Sequence, residues 1–431
     1  MFLKGALLGF FVFLLASPVG AASLQHNLKR HVTALTQSAT GRAPGTLGHQ
    51  ATRQFLNQQL YDLGLMPTGL DAQSSNFEIV DSASSGLFRH LLGNLLYQAY
   101  PINDAGPKDG AGNYAVYNIV GMLKSKDPQV KSWRMLIAHY DHLSNRRDQH
   151  FPGASDNGAG VATLIEVARM FSSFSQNPKN PPLPFNLMIA FTDREEVSTM
   201  GYALVGATLL RDRIQKQWAN LSDFLVIAVD LLGVKMIDGS ANDLFFLTHE
   251  GIDSKCANPT NLEVTCAPVS ILEGMRFPAS LFPQDMLDRC DFAPFRRSGV
   301  ATAFITGGSP WFYHTSEDTM DRIDFSLLEK TAEFIFSSLK RPDLATLLRP
   351  PPVAPEHYSK ETLQLFSNMV DQLLKQPKFY PLTPAEHLAF QKKNTRLKGC
   401  AQTPCTKEDI QKTVFDFLVL IHDVGERKLK K

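Results

Sequence analysis

Short apolar runs recur along the middle of the chain and predict strands that are buried on both faces. The runs are Met135–Ala138, Phe185–Phe191, Phe224–Val229, Leu244–Leu247 and Ala301–Ile305. Such runs are typical of parallel sheets, because helices cover both faces of a parallel sheet. The segment Tyr114–Met122 is a further β-rich stretch.

Helical periodicity separates several of these runs. The segment His49–Leu63 repeats apolar residues at helical spacing, and Gly64 follows as a stop signal. The helix predicted at Gly158–Phe174 follows a helix-start pair, Asp156-Asn157. Further helices are predicted at Phe325–Leu339, Lys360–Lys375 and Lys407–Asp423. The alternation predicts an α/β sandwich around a largely parallel sheet, in which ligands bind beyond the carboxyl ends of the strands.

Composition divides the chain into three parts. Residues 1–22 carry Lys4, an apolar stretch from Ala6 to Ala16 and then small residues, which indicates a cleaved signal peptide. The stretch is short for a bilayer span, so an uncleaved anchor is the less favoured alternative. We therefore expect export to the periplasm or the medium, without stable membrane insertion after cleavage. Residues 24–345 form the main domain, and residues 346–431, after a Pro-rich break, form a helical C-terminal extension.

The overall composition narrows the possible partners and the compartment. The 431 residues are 44% hydrophobic and 20% charged, with a net charge of +1. This balance suits a globular protein and gives no support for nucleic-acid binding. All five cysteines lie in the second half. In an oxidising compartment Cys256 with Cys266, and Cys400 with Cys405, could close two short disulfide loops and leave Cys290 free.

Acidic and imidazole side chains follow the predicted strands. They are His139, Asp141 and His142, then Asp156 at a helix start, Glu195 and Glu196, Asp230, and His314 beyond a glycine pair. Two adjacent carboxylates at the mouth of a buried strand are costly unless a cation lies nearby. Imidazoles and carboxylates suit Zn²⁺, with Co²⁺ or Mn²⁺ as substitutes. The number of ligands fits two ions that share one carboxylate, with a free Glu to move protons.

Five motifs in order resemble the secreted zinc-dependent aminopeptidase family, which also has glutamate carboxypeptidase-like and glutaminyl cyclase-like members. The motifs are HYDH at 139–142, GASDNGAGVA at 153–162, EE at 195–196, VDLLG at 229–233 and YHTSEDTMDRID at 313–324. The segment GRAPG at 41–45 is similar to the opening segment of the family. The resemblance therefore covers roughly residues 40–340.

The resemblance implies a set of metal ligands. His139 and Asp230 would bind one zinc ion, and Glu196 and His314 would bind a second. Asp156 would bridge the two ions. In isolation Asp156 would be interpreted as a helix N-cap, because that is the commonest use of Asp before a helix.

The resemblance also implies catalytic roles. Glu195 would be the general base and then the general acid, with hydroxide bound by the metal as the nucleophile. Asp141 would accept the second ring N–H of His139 and so fix its tautomer. For His142 the family suggests no ligand role, and a structural role is favoured.

The family resemblance implies a three-layer α/β/α sandwich with a mixed, largely parallel sheet, in which residues 24–345 form a zinc peptidase domain. We expect a hydrolase, a di-zinc aminopeptidase that acts on peptides or small proteins with a free N-terminus. One alternative is a glutaminyl cyclase-like acyltransferase with a single zinc. A third is a receptor-like binding module without activity, which the complete ligand set disfavours.

Two loops depart from the family pattern. Around the Glu pair, Arg194 stands where a small residue is common, and Ser198 and Tyr202 replace a Gly and a Ser. In the stretch CDFAPF at 290–295, Phe292 replaces a His that could contact substrate. These changes leave the ligands intact but make the substrate preference difficult to predict.

Overall fold

The fold is known from a computed structural model, which describes the chain in thirteen segments. They are residues 23–68, 77–83, 114–143, 150–196, 204–218, 224–235, 245–248, 275–278, 290–341, 344, 360–375, 382–400 and 405–417. The predicted signal peptide, the Cys256–Cys266 pair and the boundary at residue 346 lie outside these segments.

Nine strands of the described segments form one mixed sheet, in the order β1-β3-β5-β4-β6-β9-β7-β8, with β2 paired to β3. The strands are β1 (Met66–Pro67), β2 (Glu78–Ala83), β3 (Tyr114–Leu123), β4 (Trp133–His139), β5 (Asn186–Thr192), β6 (Phe224–Asp230), β7 (Phe245–Thr248), β8 (Met275–Pro278) and β9 (Ala301–Thr306). The four central strands, β5, β4, β6 and β9, are parallel. The outer pairings of β1, β2 and β5 with β3, and of β7 with β9, are antiparallel.

The α-helices of the described segments include eight with full bounds. They are α1 (Leu24–Thr36), α2 (Leu47–Asp62), α3 (Ala159–Gln176), α4 (Val205–Gln217), α5 (Ala293–Arg297), α6 (Phe325–Leu339), α7 (Lys360–Leu374) and α8 (Pro384–Cys400). Residues 407–417 are also helical. The expected helices at His49–Leu63, Gly158–Phe174, Phe325–Leu339 and Lys360–Lys375 are therefore confirmed within two residues at each end.

The sheet separates two hydrophobic cores, as expected for strands that are buried on both faces. Along β4, Leu136 and Ala138 belong to one core, whereas Met135 and Ile137 belong to the other. Helices α1, α2, α3 and α6 cover the first face. Helices α4, α5, α7 and α8 cover the second. This arrangement confirms the three-layer α/β/α sandwich.

The helices of the C-terminal extension pack in the second core. Phe366 of α7 and Phe390 of α8 lie in the same cluster as Met135 of the central sheet. The expected Cys400–Cys405 disulfide is present, and Cys290 is free and buried. Among the described residues, no helix has the length and apolar character needed to cross a bilayer.

Several elements were not predicted from the sequence. The sequence analysis predicts no strand at Glu78–Ala83, which pairs with β3 along six residues. Helix α4 is not predicted from the sequence, because its N-cap residue, Leu204, has a left-handed backbone and makes no side-chain capping bond. It therefore lacks the start signal that sequence analysis uses.

Candidate metal centre

The parallel centre of the sheet brings chemically active side chains to one edge. His139 is the last residue of β4, and Asp230 is the last residue of β6. On the side of β4 opposite β6, strand β5 ends at Thr192 and leads directly to the Glu195-Glu196 pair. Because parallel strands end at the same edge, residues far apart in sequence meet there.

A first group forms around His139. Its Nε2 lies 3.3 Å from Oδ1 of Asp156 and 3.5 Å from Oδ1 of Asp230. All three side chains are buried. The imidazole nitrogen and the two carboxylate oxygens therefore form a triangle of three atoms that can each bind a metal ion.

A second group forms around His314. Its Nε2 lies 3.1 Å from Oδ2 of Asp156 and 3.1 Å from Oε2 of Glu196. Asp156 therefore directs one oxygen to each histidine and belongs to both groups. The structure thus brings the predicted metal ligands together. They form the two predicted pairs, His139 with Asp230 and His314 with Glu196, and Asp156 lies between the pairs.

The unpaired atoms of these side chains fit bound cations. The Nε2 atoms of His139 and His314, and Oδ2 of Asp156, are buried without a hydrogen-bond partner among the described residues. Ligand atoms of His139, Asp156 and Glu196 all lie within 4.8 Å of one another. Such buried polar atoms are costly when they have no partner, and imidazole nitrogens with carboxylate oxygens are the usual ligands of zinc.

The backbone before α3 places Asp156. Asp156 and Asn157 have non-helical angles within a short π-helical turn, Ala154–Gly158. Asp318 accepts hydrogen bonds from Ser155 N at 2.8 Å, from the Ser155 hydroxyl at 2.8 Å and from Asp156 N at 3.1 Å. The carboxylate of Asp156 caps no helix, so it is free to face the two histidines.

Asp141 has a different contact from the one expected. His139 Nδ1 lies 3.1 Å from the backbone oxygen of Asp141 and 3.7 Å from its carboxylate. The carboxylate instead accepts the backbone N–H of Glu195 at 3.1 Å and of Glu196 at 3.2 Å. The carbonyl is nearer the ring because the chain turns directly after β4. Asp141 therefore positions the Glu pair in addition to orienting His139.

The first turn of α4 fixes the other side of the Glu pair. The N–H groups of Leu204, Val205 and Gly206 donate to the backbone oxygens of Glu195, Arg194 and Asp193, respectively, in this order. These are N–H groups that a helix leaves without internal partners. They hold the loop in a shape in which Arg194 has a φ of 56°.

His142 contacts Glu196, one of the predicted metal ligands, which the sequence did not indicate. Its Nδ1 lies 2.9 Å from Oε1 of Glu196. The other oxygen of Glu196 faces His314. His142 thus orients Glu196, and the side chain is itself buried. The only sequence signal was its place in HYDH, three residues after His139.

The buried charges strongly perturb one another. Burial raises the pKa of Glu195 well above its usual range, and attraction to His139 opposes this rise. Burial likewise raises the pKa of Asp230 to about 7. Burial disfavours the carboxylate of Glu196, but attraction to His314 and hydrogen bonds from histidines bring its pKa to about 2. Carboxylates crowded in this way favour a cation between them.

The aromatic and sulfur-bearing neighbours divide between the site and the core. The ring of Tyr313 stacks on His314 with centroids 3.7 Å apart. Phe292 is buried in the second core and stacks on Phe304. Burial raises the pKa of the Cys290 thiol well above its usual range. Cys290 is free, as expected, and packs in the second core.

Comparison with known proteins shows the family of the chain and relatives that share its fold. The sequence model of Peptidase family M28 matches residues 118–339. Aminopeptidase YwaD of Bacillus subtilis (strain 168) is 25% identical over 239 residues, which cover 53% of this chain and 45% of that protein. The chain spans half or less of the length of the curated relatives it matches first.

Solved structures share the fold at low sequence identity. BSAP, a zinc aminopeptidase from Bacillus subtilis, covers 73% of this chain and 93% of its own, with a TM-score of 0.50 and 15% identity. A glutaminyl cyclase from Porphyromonas gingivalis covers 74% and 99%, with a TM-score of 0.47 and 19% identity.

Proposed function

Because the chain belongs to Peptidase family M28, whose model matches just over half of it, we propose that it is a zinc-dependent aminopeptidase. It would remove N-terminal residues from peptides with a free amine. The observation that carries this proposal is the position of Asp156, whose two oxygens face His139 and His314 separately. One carboxylate shared by two histidine–carboxylate pairs is the ligand arrangement of a two-metal hydrolase.

Each residue of the site then has a task. His139 with Asp230, and His314 with Glu196, would hold one zinc ion each, and Asp156 would contact both. Bound zinc supplies Lewis acidity, which polarises a peptide carbonyl and lowers the pKa of water. Asp141 and His142 hold Glu195 and Glu196 in place through the hydrogen bonds described above.

Glu195 is proposed as the proton carrier. Its Oε2 is 3.9 Å from His139 Nε2, farther than the oxygens of Asp156 and Asp230. Glu195 is thus adjacent to both groups of proposed ligand atoms but belongs to neither group. Its buried carboxylate, with a raised pKa, can accept a proton from water at Oε2 and return it to the leaving amine.

An N-terminal ammonium group suits the charge of the site. The buried carboxylates around it are those of Asp141, Asp156, Glu195, Glu196, Asp230, Asp291 and Asp318. Two divalent ions would balance only part of this negative charge. A positively charged substrate end therefore gains more from the site than a blocked or acidic end does.

The decisive experiment combines metal analysis with a substrate panel. Purified protein is assayed with free-amine aminoacyl substrates, their N-acetylated counterparts and N-terminal glutaminyl peptides. We expect about two zinc ions per chain and cleavage of free-amine substrates only. Glu195→Gln should keep its zinc and lose about 10²–10⁴-fold in kcat. Glu317→Gln, an exposed residue on the same segment as His314, should keep full activity.

Other outcomes would identify the alternatives. One zinc ion with pyroglutamate formation and no hydrolysis would indicate a glutaminyl cyclase-like enzyme. Absence of zinc, with no activity lost in Glu195→Gln, would indicate a binding module.

We further propose that the protein works outside the cytoplasm. The Cys400–Cys405 disulfide supports this location, because structural disulfides persist in oxidising compartments. Fractionation of expressing cells, with sequencing of the mature N-terminus, tests it. Full-length protein in the cytoplasm with free thiols at both positions would contradict it.

A further inference from the structure

Arg42 is a fully buried arginine whose donors all contact backbone oxygens. It is 1% exposed. Its Nε donates to Tyr140 O at 2.9 Å, one terminal nitrogen donates to Leu35 O at 3.0 Å and Pro152 O at 2.7 Å, and the other donates to Gly153 O at 2.9 Å and Asp156 O at 3.2 Å. A guanidinium has five N–H donors, so every donor has a partner.

Four of the five accepting carbonyls belong to segments that carry proposed metal ligands, and the fifth, that of Leu35, lies in α1. Tyr140 directly follows His139 in the turn after β4. Gly153 and Asp156 bound the turn that places the shared carboxylate. Arg42 itself lies in the connection between α1 and α2, so one side chain joins three separate parts of the chain.

Arg42 is buried without a salt bridge. Among the described residues, no carboxylate oxygen lies within ion-pair distance of its guanidinium. The nearest acidic groups, led by Asp156 and Asp318, act on it only through longer-range attraction. A buried charge is costly unless all of its hydrogen bonds are made. The five carbonyls meet this requirement, and the positive charge lies behind the acidic site.

We infer that Arg42 is a positioning residue that sets zinc affinity by fixing the turn after His139 relative to the turn before α3. Tyr140 and Asp156 are held by the same planar group, so the ligands His139 and Asp156 keep one relative placement. The inference rests on the metal site of the proposed function, but not on the choice of substrate. It assigns a task to the GRAPG segment that the proposed chemistry does not use.

The test measures zinc affinity directly, by competition with a chromophoric chelator. Lysine keeps the charge but offers three donors from a single point, so it cannot span the five carbonyls. We expect Arg42→Lys and Arg42→Gln to bind zinc about 10–100-fold more weakly than the wild type, as for other residues that orient metal ligands. The Co²⁺-substituted variants should also have altered absorption spectra.

Two controls separate positioning from general stability. Leu60→Ala removes a buried side chain of α2 that is not among the residues that accept from Arg42, and it should lower the melting temperature without changing zinc affinity. Arg213→Lys alters an arginine that pairs with the carboxylate of Asp81 and should leave zinc affinity unchanged. If folded Arg42→Lys binds zinc as the wild type does, or if Leu60→Ala weakens zinc binding equally, the inference is wrong.

A measurement on the wild type applies even if the variants do not fold. The N–H groups of Gly41 and Thr46, which are hydrogen-bonded to Ser38 and Ala43, report on the segment around Arg42. If Arg42 couples this segment to the ligands, zinc must slow their hydrogen exchange by reciprocity. Unchanged exchange in a wild type that binds zinc overturns the inference alone. A wild type that binds zinc but cleaves no peptide overturns the proposed function alone.

Discussion

Asp156 directs its two carboxylate oxygens towards different histidines, and neighbouring residues hold it in the backbone conformation that allows this. The ionised side chain has no helix to cap, because the backbone at Asp156 is non-helical. Asp318 holds that backbone through both of its own oxygens. A carboxylate that accepts from several N–H groups is well suited to this task, because it has no proton to place among them.

Asp318→Asn should therefore weaken zinc binding by about 10–100-fold. The amide keeps one acceptor oxygen, and its NH₂ group would face the N–H of Ser155 or of Asp156. Zinc affinity by chelator competition measures the change. The matched control is Asp321→Asn, on the same segment, where the carboxylate is exposed and contacts Thr319. Wild-type affinity in Asp318→Asn would contradict the role given to Asp318.

At the residue scale the sequence indicated ligands better than their supports. His139, Asp156, Glu196, Asp230 and His314 were inferred from ligand chemistry and motif order. The residues that hold these side chains in place do so through contacts that no local sequence pattern indicates. Asp318 and Ser155 are 163 positions apart, and His142 meets Glu196 across 54 positions.

At the element scale, the loop that carries the Glu pair depends on the close approach of α4. Gly206 lies at the contact, and an added Cβ would overlap Asp193 O and lie 2.5 Å from Asn118 Oδ1. The same glycine donates its N–H to Asp193 O. Only glycine fits here, because moving the backbone atoms of the loop to make room for a Cβ would have a high energetic cost.

Gly206→Ala should destabilise the fold by about 1–3 kcal/mol, as expected for overpacking, and should reduce peptidase activity by displacing Glu195. Thermal unfolding and kcat measure the two effects. Gly399→Ala is the control, because a Cβ at Gly399 in α8 meets no atom within 4 Å. This helical substitution should be neutral or stabilise by about 0.5–1 kcal/mol. Equal stability of the two variants would contradict the packing argument.

The elements that sequence analysis identified are those with a complete local signal. The central strands were recognised because burial on both faces makes them continuously apolar, as in β5 and β6, where every residue is buried. Strand β2 was not predicted because its sequence, EIVDSA, mixes polar and apolar residues. Helix α4 was not predicted because its first N–H groups donate to the loop that carries Glu195 and Glu196 instead of to a capping side chain.

At the scale of the whole molecule, the metal centre joins elements from both ends of the peptidase region. Its proposed ligands come from the ends of β4 and β6, the turn before α3, the loop after β5 and the segment before α6. Buried acidic groups repel one another across these elements. Bound zinc should therefore stabilise the native state, to which it binds and the unfolded chain does not.

Zinc removal should lower the melting temperature. At free zinc about 100 times the Kd, binding stabilises the native state by about 2.7 kcal/mol. Thermal unfolding is measured with excess chelator and again after zinc is restored. His139→Ala should lose most of the zinc-dependent rise, because one ligand group is then incomplete. Equal melting temperatures of the wild type with and without zinc would contradict a native metal site.

The sequence by itself determined the strands buried on both faces and the main helices, because these follow from local hydrophobicity. It also predicted the candidate metal ligands, whose roles its resemblance to a family implies. Only the tertiary structure decided the strand order, the contact of Asp141 with the Glu pair, and the tasks of Arg42, His142 and Asp318. These depend on atoms brought together from distant parts of the chain, and hydrogen bonds between such atoms leave no periodic trace in the sequence.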